Sequence, residues 1–254
     1  MFTVCALLLF AQLPKELSVA EALPRLQDSN AIVRLQAISI LANSKTELEP
    51  KAIAALTKVI DDGDPRVRKL ALQTLGEIGP RAREWGGGPK LSAQLARLFD
   101  DKNELTKRAA VWAYGQVGID SLEELEPLYA AFKNASPDVR GLAVAAAAQY
   151  IHDEVAPEMR VAVLDRIANA LADKDARVQR LTAEILAKSA GDSVPGLKRI
   201  VETGTGPARN WAAFVLGEIG PAARDAVPSL QKAYNETTKD GKAAIQSALK
   251  KIGP

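Results

Sequence analysis

Few side chains in this chain are able to do chemistry. It has one histidine, His152, and one cysteine, Cys5. A Ser–His–Asp or Cys–His nucleophile would have to be built around that single imidazole. Asp153 and Glu154 follow His152, but these adjacent groups fall short of the three or four converging ligands of a metal site. The segment 151–160 therefore reads as a solvated connector. A lone cysteine excludes an internal disulfide and a multi-cysteine metal centre. Acids cluster at Asp61, Asp62 and Asp64, at Asp100 and Asp101, and at Asp173 and Asp175. As calcium loops they lack the spaced ligand set with its central glycine and closing glutamate. As neighbours of helix N-termini they place negative charge where the helix dipole favours it. The three glycines at 86–88 lack the Lys-Ser/Thr ending and the preceding strand of a phosphate loop. No catalytic residue, metal or cofactor is expected.

The elements that carry these residues repeat one template, residues 61–80. Asp64 has the type and place of an N-cap, and Pro65 stands at the first helical position, where its missing N–H costs nothing. Val67, Leu70, Ala71, Leu75 and Ile78 follow at steps of three and four on one face. Gly79 can take a positive φ and stop the helix, and Pro80 cannot continue it. With Val67 as anchor, matching positions fall at Val33, Thr106, Val139, Val178, Ala208 and Gly241. Three places before each anchor stand Asn30, Asp64, Asn103, Ser136, Asp175, Thr205 and Thr238, all of N-cap type. Eight places after stand Leu41, Leu75, Tyr114, Ala147, Leu186, Leu216 and Leu249. The ending Gly-Glu-Ile-Gly-Pro occurs at 76–80 and again at 217–221.

The Asp-x-Asp-Pro-x-Val-Arg-x-x-Ala-x-x-x-Leu-Gly run at 62–76, with its weaker copies, resembles HEAT repeats. Within them it is similar to the bacterial type found in phycobilisome-lyase-like proteins. The resemblance covers about residues 18–254 and implies a binding scaffold more than an activity. It also implies a structural ladder in which the Arg after the anchor bonds to the Asp of a neighbouring repeat. Arg34, Arg68, Arg140 and Arg209 fill the Arg places, against Asp28, Asp62 and Asp101. Thr203 and Glu236 replace the Asp in the last two repeats. The physical reading agrees with the resemblance, because a two-helix unit of this size cannot bury its apolar face alone and must stack on its neighbours. The expected fold is all-α, an α-solenoid of about seven antiparallel two-helix repeats.

Composition narrows the function. Net charge is +2, from 33 basic and 31 acidic side chains, which argues against a dedicated nucleic-acid binder. The apolar run 1–11 is too short to span a bilayer. Its length suits the core of a secretory signal with Ser18-Val19-Ala20 as cleavage site, although no Lys or Arg precedes it. On that reading residues 1–17 are removed and the chain is exported, periplasmic or secreted. The alternative is an apolar terminal helix buried on the first repeat, in a cytoplasmic protein. Residues 80–90 read as a long connector, with Trp85 either a contact residue or folded back on the core. The nearly all-Ala/Val second helix of repeat four suggests a tightly packed centre.

The remaining signal is surface. In a solenoid the second helices line the concave side, and positions two and six after the anchor point away from the apolar face. They include Lys69, Gln73, Arg108, Trp112, Arg180 and Phe214. Aromatic and Arg side chains in a groove are common interface anchors. Trp112 and Phe214 are exposed in this register and core if it is shifted by one; Trp211 sits on the inter-repeat face. The expected function is a non-catalytic scaffold binding a protein or peptide on its concave face, with no small-molecule substrate and no nucleic acid. The alternatives are a lyase-like or chaperone-like protein acting on a bound cofactor, and a DNA-binding HEAT-like protein.

Overall fold

The structure, a computed structural model, describes residues 17–44, 48–152, 154–237 and 239–253. The apolar run 1–11 with Cys5, Asp153 and the expected N-cap Thr238 lie outside them, as does all but Leu17 of segment 1–17. Every regular element among the described residues is helical, and no helix is long and apolar enough to cross a membrane. The chain divides into two compact units at Gly118/Ile119.

The first unit holds three helix pairs: α1 (Val19–Arg25) with α2 (Ala31–Asn43), α3 (Pro50–Val59) with α4 (Pro65–Ile78), and α6 (Pro89–Arg97) with α7 (Glu104–Val117). Between the second and third pairs runs α5 (Pro80–Gly86). The second unit holds four pairs: α8 (Glu126–Ala131) with α9 (Pro137–Ala148), α10 (Pro157–Ala168) with α11 (Ala176–Lys188), α12 (Val194–Thr203) with α13 (Gly206–Ile219), and α14 (Val227–Glu236) with α15 (Lys239–Ile252). Within each unit, second helices pack on second helices: α2 on α4 and α4 on α7, then α9 on α11, α11 on α13 and α13 on α15. Each unit is a stack of repeats, and the fold is an all-α solenoid.

The template helix shows why the stack is necessary. On α4 the anchor-face residues Val67, Ala71, Leu75 and Ile78 are buried, and so is Leu72 on the flank. A helix covered from two sides must bury more than one stripe. The eighth place after the anchor is fully enclosed at Leu41, Leu75, Tyr114, Ala147, Leu186 and Leu216.

The N-caps follow from sequence chemistry. The side chains of Asn30, Asp64, Asn103, Ser136 and Asp175 each accept a backbone N–H of the first turn. Thr205 corrects the pattern: it occupies the N-cap position of α13, but its hydroxyl makes no cap bond. The Gly-Pro endings also act differently from expectation. Gly79 and Gly220 do stop their helices, at φ 68° and 70°, where a side chain would be strained. Pro80 and Pro221 then start the next helical segment, because proline is pre-set for a first helical turn. The expected connector 80–90 is thus mostly helix α5, closed by Gly87 and Gly88, both at positive φ.

Arg side chains tie adjacent repeats together. Arg34 meets Asp62 in two bonds of 2.7 Å, and Arg68 meets Asp101 at 2.8 Å. Arg140 meets Asp173 with bonds of 2.6 and 2.7 Å. Each guanidinium also donates to carbonyls of its own loop, as Arg34 does to Asp28 and Ser29. Each carboxylate in turn accepts the backbone N–H of the N-cap residue two places on, at 2.7–2.8 Å. Asp28 makes that same turn bond to the N–H of Asn30. Arg209 departs from the set because the Asp place of the following repeat holds Glu236; its Nε, like that of Arg68, is buried without a hydrogen-bond partner. Thr203, in the Asp place of repeat six, donates its hydroxyl to the Arg199 carbonyl. In repeat five Gln179 stands in the Arg place and donates to the Asp173 carbonyl at 2.6 Å.

The Arg140–Asp173 pair is the most enclosed, at 4% and 6% side-chain exposure. Burial pushes the Asp173 carboxyl up, but the bonds from Arg140 and the Asp175 N–H outweigh it and hold it below the usual carboxylate range. Removing one partner leaves a buried charge alone, so Arg140→Ala should cost about 3–5 kcal/mol in urea unfolding. A carboxyl with a depressed folded pKa contributes stability above its unfolded pKa and loses it as pH falls through the folded value. The gap between wild type and Asp173→Asn should therefore be largest near neutral pH and close below about pH 4.

Candidate functional site

The largest solvent-facing apolar groups point to the second helices. Among the described residues five large hydrophobic side chains are exposed: Ile32, Leu105, Leu122, Met159 and Phe214. Three of them, Ile32, Leu105 and Phe214, lie on α2, α7 and α13. Ile32 and Leu105 each stand one place before an anchor and seven before Ser39 and Trp112. Seven residues is two helical turns, so they share the outward face with the second and sixth positions.

In the first unit this face carries Lys69 and Gln73 on α4, both half-buried, with exposed Arg108 and half-buried Trp112 on α7. Trp112 is neither a free groove aromatic nor a core residue. Its six-membered ring lies against Gly76 so closely that a Cβ there would come within 2.4 Å of ring carbon Cζ3. The backbone of Ala113 would be 3.1 Å away. The first glycine of Gly-Glu-Ile-Gly-Pro is therefore a close-approach residue. At its counterpart Gly217 a Cβ would come within 2.9 Å of the Ala248 Cα. A Cβ on Gly196 would likewise come within 2.9 Å of the Asp165 Cα, and one on Gly86 within 2.9 Å of the Leu91 side chain. In the Ala/Val-rich helix α9, a Cβ on Gly141, an outward second position, would meet only ordinary contacts at 3.8 and 3.9 Å.

In the second unit Phe214 is 47% exposed. It stands edge-on to Trp211 at 5.7 Å, and the Lys251 ammonium lies 5.6 Å from its ring centre. Trp211 is half-buried between repeats and donates to the Gln179 side chain at 3.0 Å. Arg180 is exposed and pairs along its own helix with Glu184 at 3.4 Å. Asp138 with Arg177 and Glu218 with Lys251 are further pairs on this unit's second helices.

Clefts with charged linings are present as well. One of about 570 Å³ opens between α8 and α10, lined by Glu126, Tyr129, Phe132, Lys133 and Arg166. Arg166 lies over the Tyr129 ring at 5.2 Å, and burial pushes that phenol up to about 12. At neutral pH the hydroxyl keeps its proton, so it is no general base. A second cleft, about 390 Å³, holds His152 with Arg160, Lys188 and Asp192. His152 and Glu154 are exposed, and Arg160 is engaged by Asp192 at 2.7 Å. Among the described residues no three His, Cys, Asp or Glu side chains converge as metal ligands. Trp85 is half-buried on α5, with the Arg81 guanidinium 5.5 Å from its ring centre.

Residues 19–115 match the family model for HEAT repeats, and residues 208–236 match the PBS lyase HEAT-like repeat. The chain carries HEAT repeats. No curated protein matches it. A computationally designed armadillo repeat protein for modular peptide recognition is similar in structure, at 18% identity and a TM-score of 0.54, covering 93% of this chain and 100% of that one. A designed armadillo repeat protein in complex with peptide (KR)4 has 18% identity, a TM-score of 0.52, and covers 92% and 99%. An engineered protein has 19% identity and a TM-score of 0.54, covering 92% of this chain and 68% of that one. At these identities the likeness is one of fold.

On the HEAT repeats, sequence reasoning from the second and sixth positions missed Ile32 and Leu105. The signal was present, since both precede a chosen position by seven residues. The Gly76–Trp112 contact needs two repeats in register and has no local signal. Gly76→Ala should destabilise the protein by about 1–3 kcal/mol through overpacking, although alanine favours a helix by about 1 kcal/mol over glycine. Adding Trp112→Leu should restore part of the loss, read as the midpoint of urea unfolding.

Proposed function

We propose that this protein is a non-catalytic scaffold that holds a protein or peptide partner on the outward faces of its second helices. The carrying observation is the position of Ile32, Leu105 and Phe214. Each is about half exposed, so covering the rest gains about half of the roughly 1.5–3 kcal/mol of full burial, and Arg and aromatic neighbours are common anchors of such contacts. In the first unit Arg108 on α7, with Lys69 and Gln73 on α4, supplies the polar part of the face; in the second unit Arg180 on α11 does so. The solenoid likeness to designed armadillo proteins, one made for peptide recognition and another bound to peptide (KR)4, supports the same use of the fold. The clefts contribute no acid–base pair to this reading, and the ion-pair ladder of Arg34, Arg68 and Arg140 serves to join repeats.

Affinity capture from the native host tests it, comparing wild type with Leu105→Ser/Phe214→Ser. These two side chains project into solvent, so their loss should leave the thermal melt within a few degrees of wild type. A partner retained by wild type and depleted about tenfold or more on the variant is the expected result. Equal retention by both proteins, with both folded, overturns the assignment of this face.

A further inference from the structure

The first helices of the second unit are stacked unevenly. α10 packs on α12 and α12 on α14, but no comparable packing joins α8 to α10. α8 is only six residues long, and the chain between α9 and α10 runs over residues 149–156. The gap left between α8 and α10 is the cleft of about 570 Å³, a volume within the range of about 300–1,000 Å³ that ligand pockets occupy. Tyr129 and Phe132 give it aromatic walls, edge to face at 5.7 Å, and the exposed small residues Ala130 and Ala172 leave its mouth unfilled. Four charged groups line it: Glu126, Lys133, Arg166 and Asp173. Asp173 is taken by Arg140. Glu126 holds Arg166 at 3.4 Å, with the two side chains 60% and 54% exposed, a pairing that contributes little. Lys133 is exposed and has no ion pair among the described residues. The Arg166 guanidinium lies over the Tyr129 ring at 5.2 Å, and its large exposure leaves room for a second ring on its other side.

We propose that this cleft receives an aromatic side chain of a partner peptide, next to an acidic residue of the same peptide. The ring stacks on the open side of Arg166 and against Phe132, and the carboxylate meets Lys133. A planar guanidinium that already covers one ring is suited to holding another, and cation–π attraction favours Trp over Phe. An aromatic anchor seated in a pocket is also the usual centre of a peptide or protein contact. The charge at Lys133 selects the neighbour, since a carboxylate there is compensated and a second cation is repelled. This site goes beyond the second-helix reading and stands without it, because none of Ile32, Leu105, Arg180 and Phe214 lines the cleft.

Amide chemical-shift titration of the full chain with the capped peptide Gly-Ser-Trp-Glu-Ser-Gly tests the assignment. Saturating shifts are expected in residues 126–133 and 166–173. Replacing Trp by Leu in the peptide should weaken binding about fivefold or more, and replacing Glu by Lys should do the same at low ionic strength. Lys133→Glu should reverse the preference between the Glu and Lys peptides, and Arg166→Gln should make the Trp and Leu peptides equal. Both positions are exposed, so the folded state should survive. Ala172→Phe, which fills the mouth from an exposed place, should abolish binding of every peptide. No shift at millimolar peptide, shifts centred outside the cleft, equal affinity of the Trp and Leu peptides, or no response of the folded Lys133→Glu chain overturns the proposal. So does indole-3-propionate binding as tightly as the peptide, since the cleft would then serve a free aromatic acid. Capture of a host partner by the second-helix faces is read with Leu105→Ser/Phe214→Ser, which leaves the cleft intact, so either site can fail while the other stands.

Discussion

A pair of short helices exposes more apolar surface than it can cover, and everything else in this protein answers that deficit. α4 shows it directly: Val67 and Leu75 are enclosed on one side and Leu72 on the flank, so the helix needs α2 and α7 as well as its own partner α3. The stabilising layers therefore lie between repeats as much as within them. Glycine at the closest crossings lets this happen, with Gly76 taking the Trp112 ring and Gly217 taking the Ala248 backbone.

The ion pairs have a different part. Arg34–Asp62, Arg68–Asp101 and Arg140–Asp173 sit where the loop of one repeat meets the second helix of the preceding one. Each Asp fixes the turn before its own helix through a backbone N–H while accepting a neighbour's guanidinium. Burying such a pair gives little net stability over apolar packing, but it is costly to break and so penalises a slipped register. Hydrophobic layers draw the repeats together, and the ladder specifies how they mate.

With packing assigned to the inter-repeat layers and register to the ladder, the second-helix faces are left over. They differ between units. The second unit's charges are matched among themselves, and Phe214 lies under a lysine and beside Trp211. The first unit's face carries Lys69, Gln73 and Arg108 beside Ile32, Leu105 and Trp112. A fold that spends its buried positions on repeat stacking has its solvent-facing positions available for a partner, and those vary from repeat to repeat.

Sequence alone determined the two-helix repeat, its spacing, the five working N-caps and the glycine stops, because these depend on neighbours within four residues along the chain. It also marked part of the outward face, at Arg108, Arg180 and Phe214, since helical phase is local. It misjudged residues 80–90, where proline after a glycine stop starts a helix as readily as it bars one. Tertiary structure alone decided that Trp112 closes over Gly76, that Arg140 pairs with Asp173, and which of the two registers left open for Phe214 holds. Each of these depends on the distance and rotation between one repeat and the next. That geometry is set by how whole layers of side chains interlock, and no local pattern encodes it.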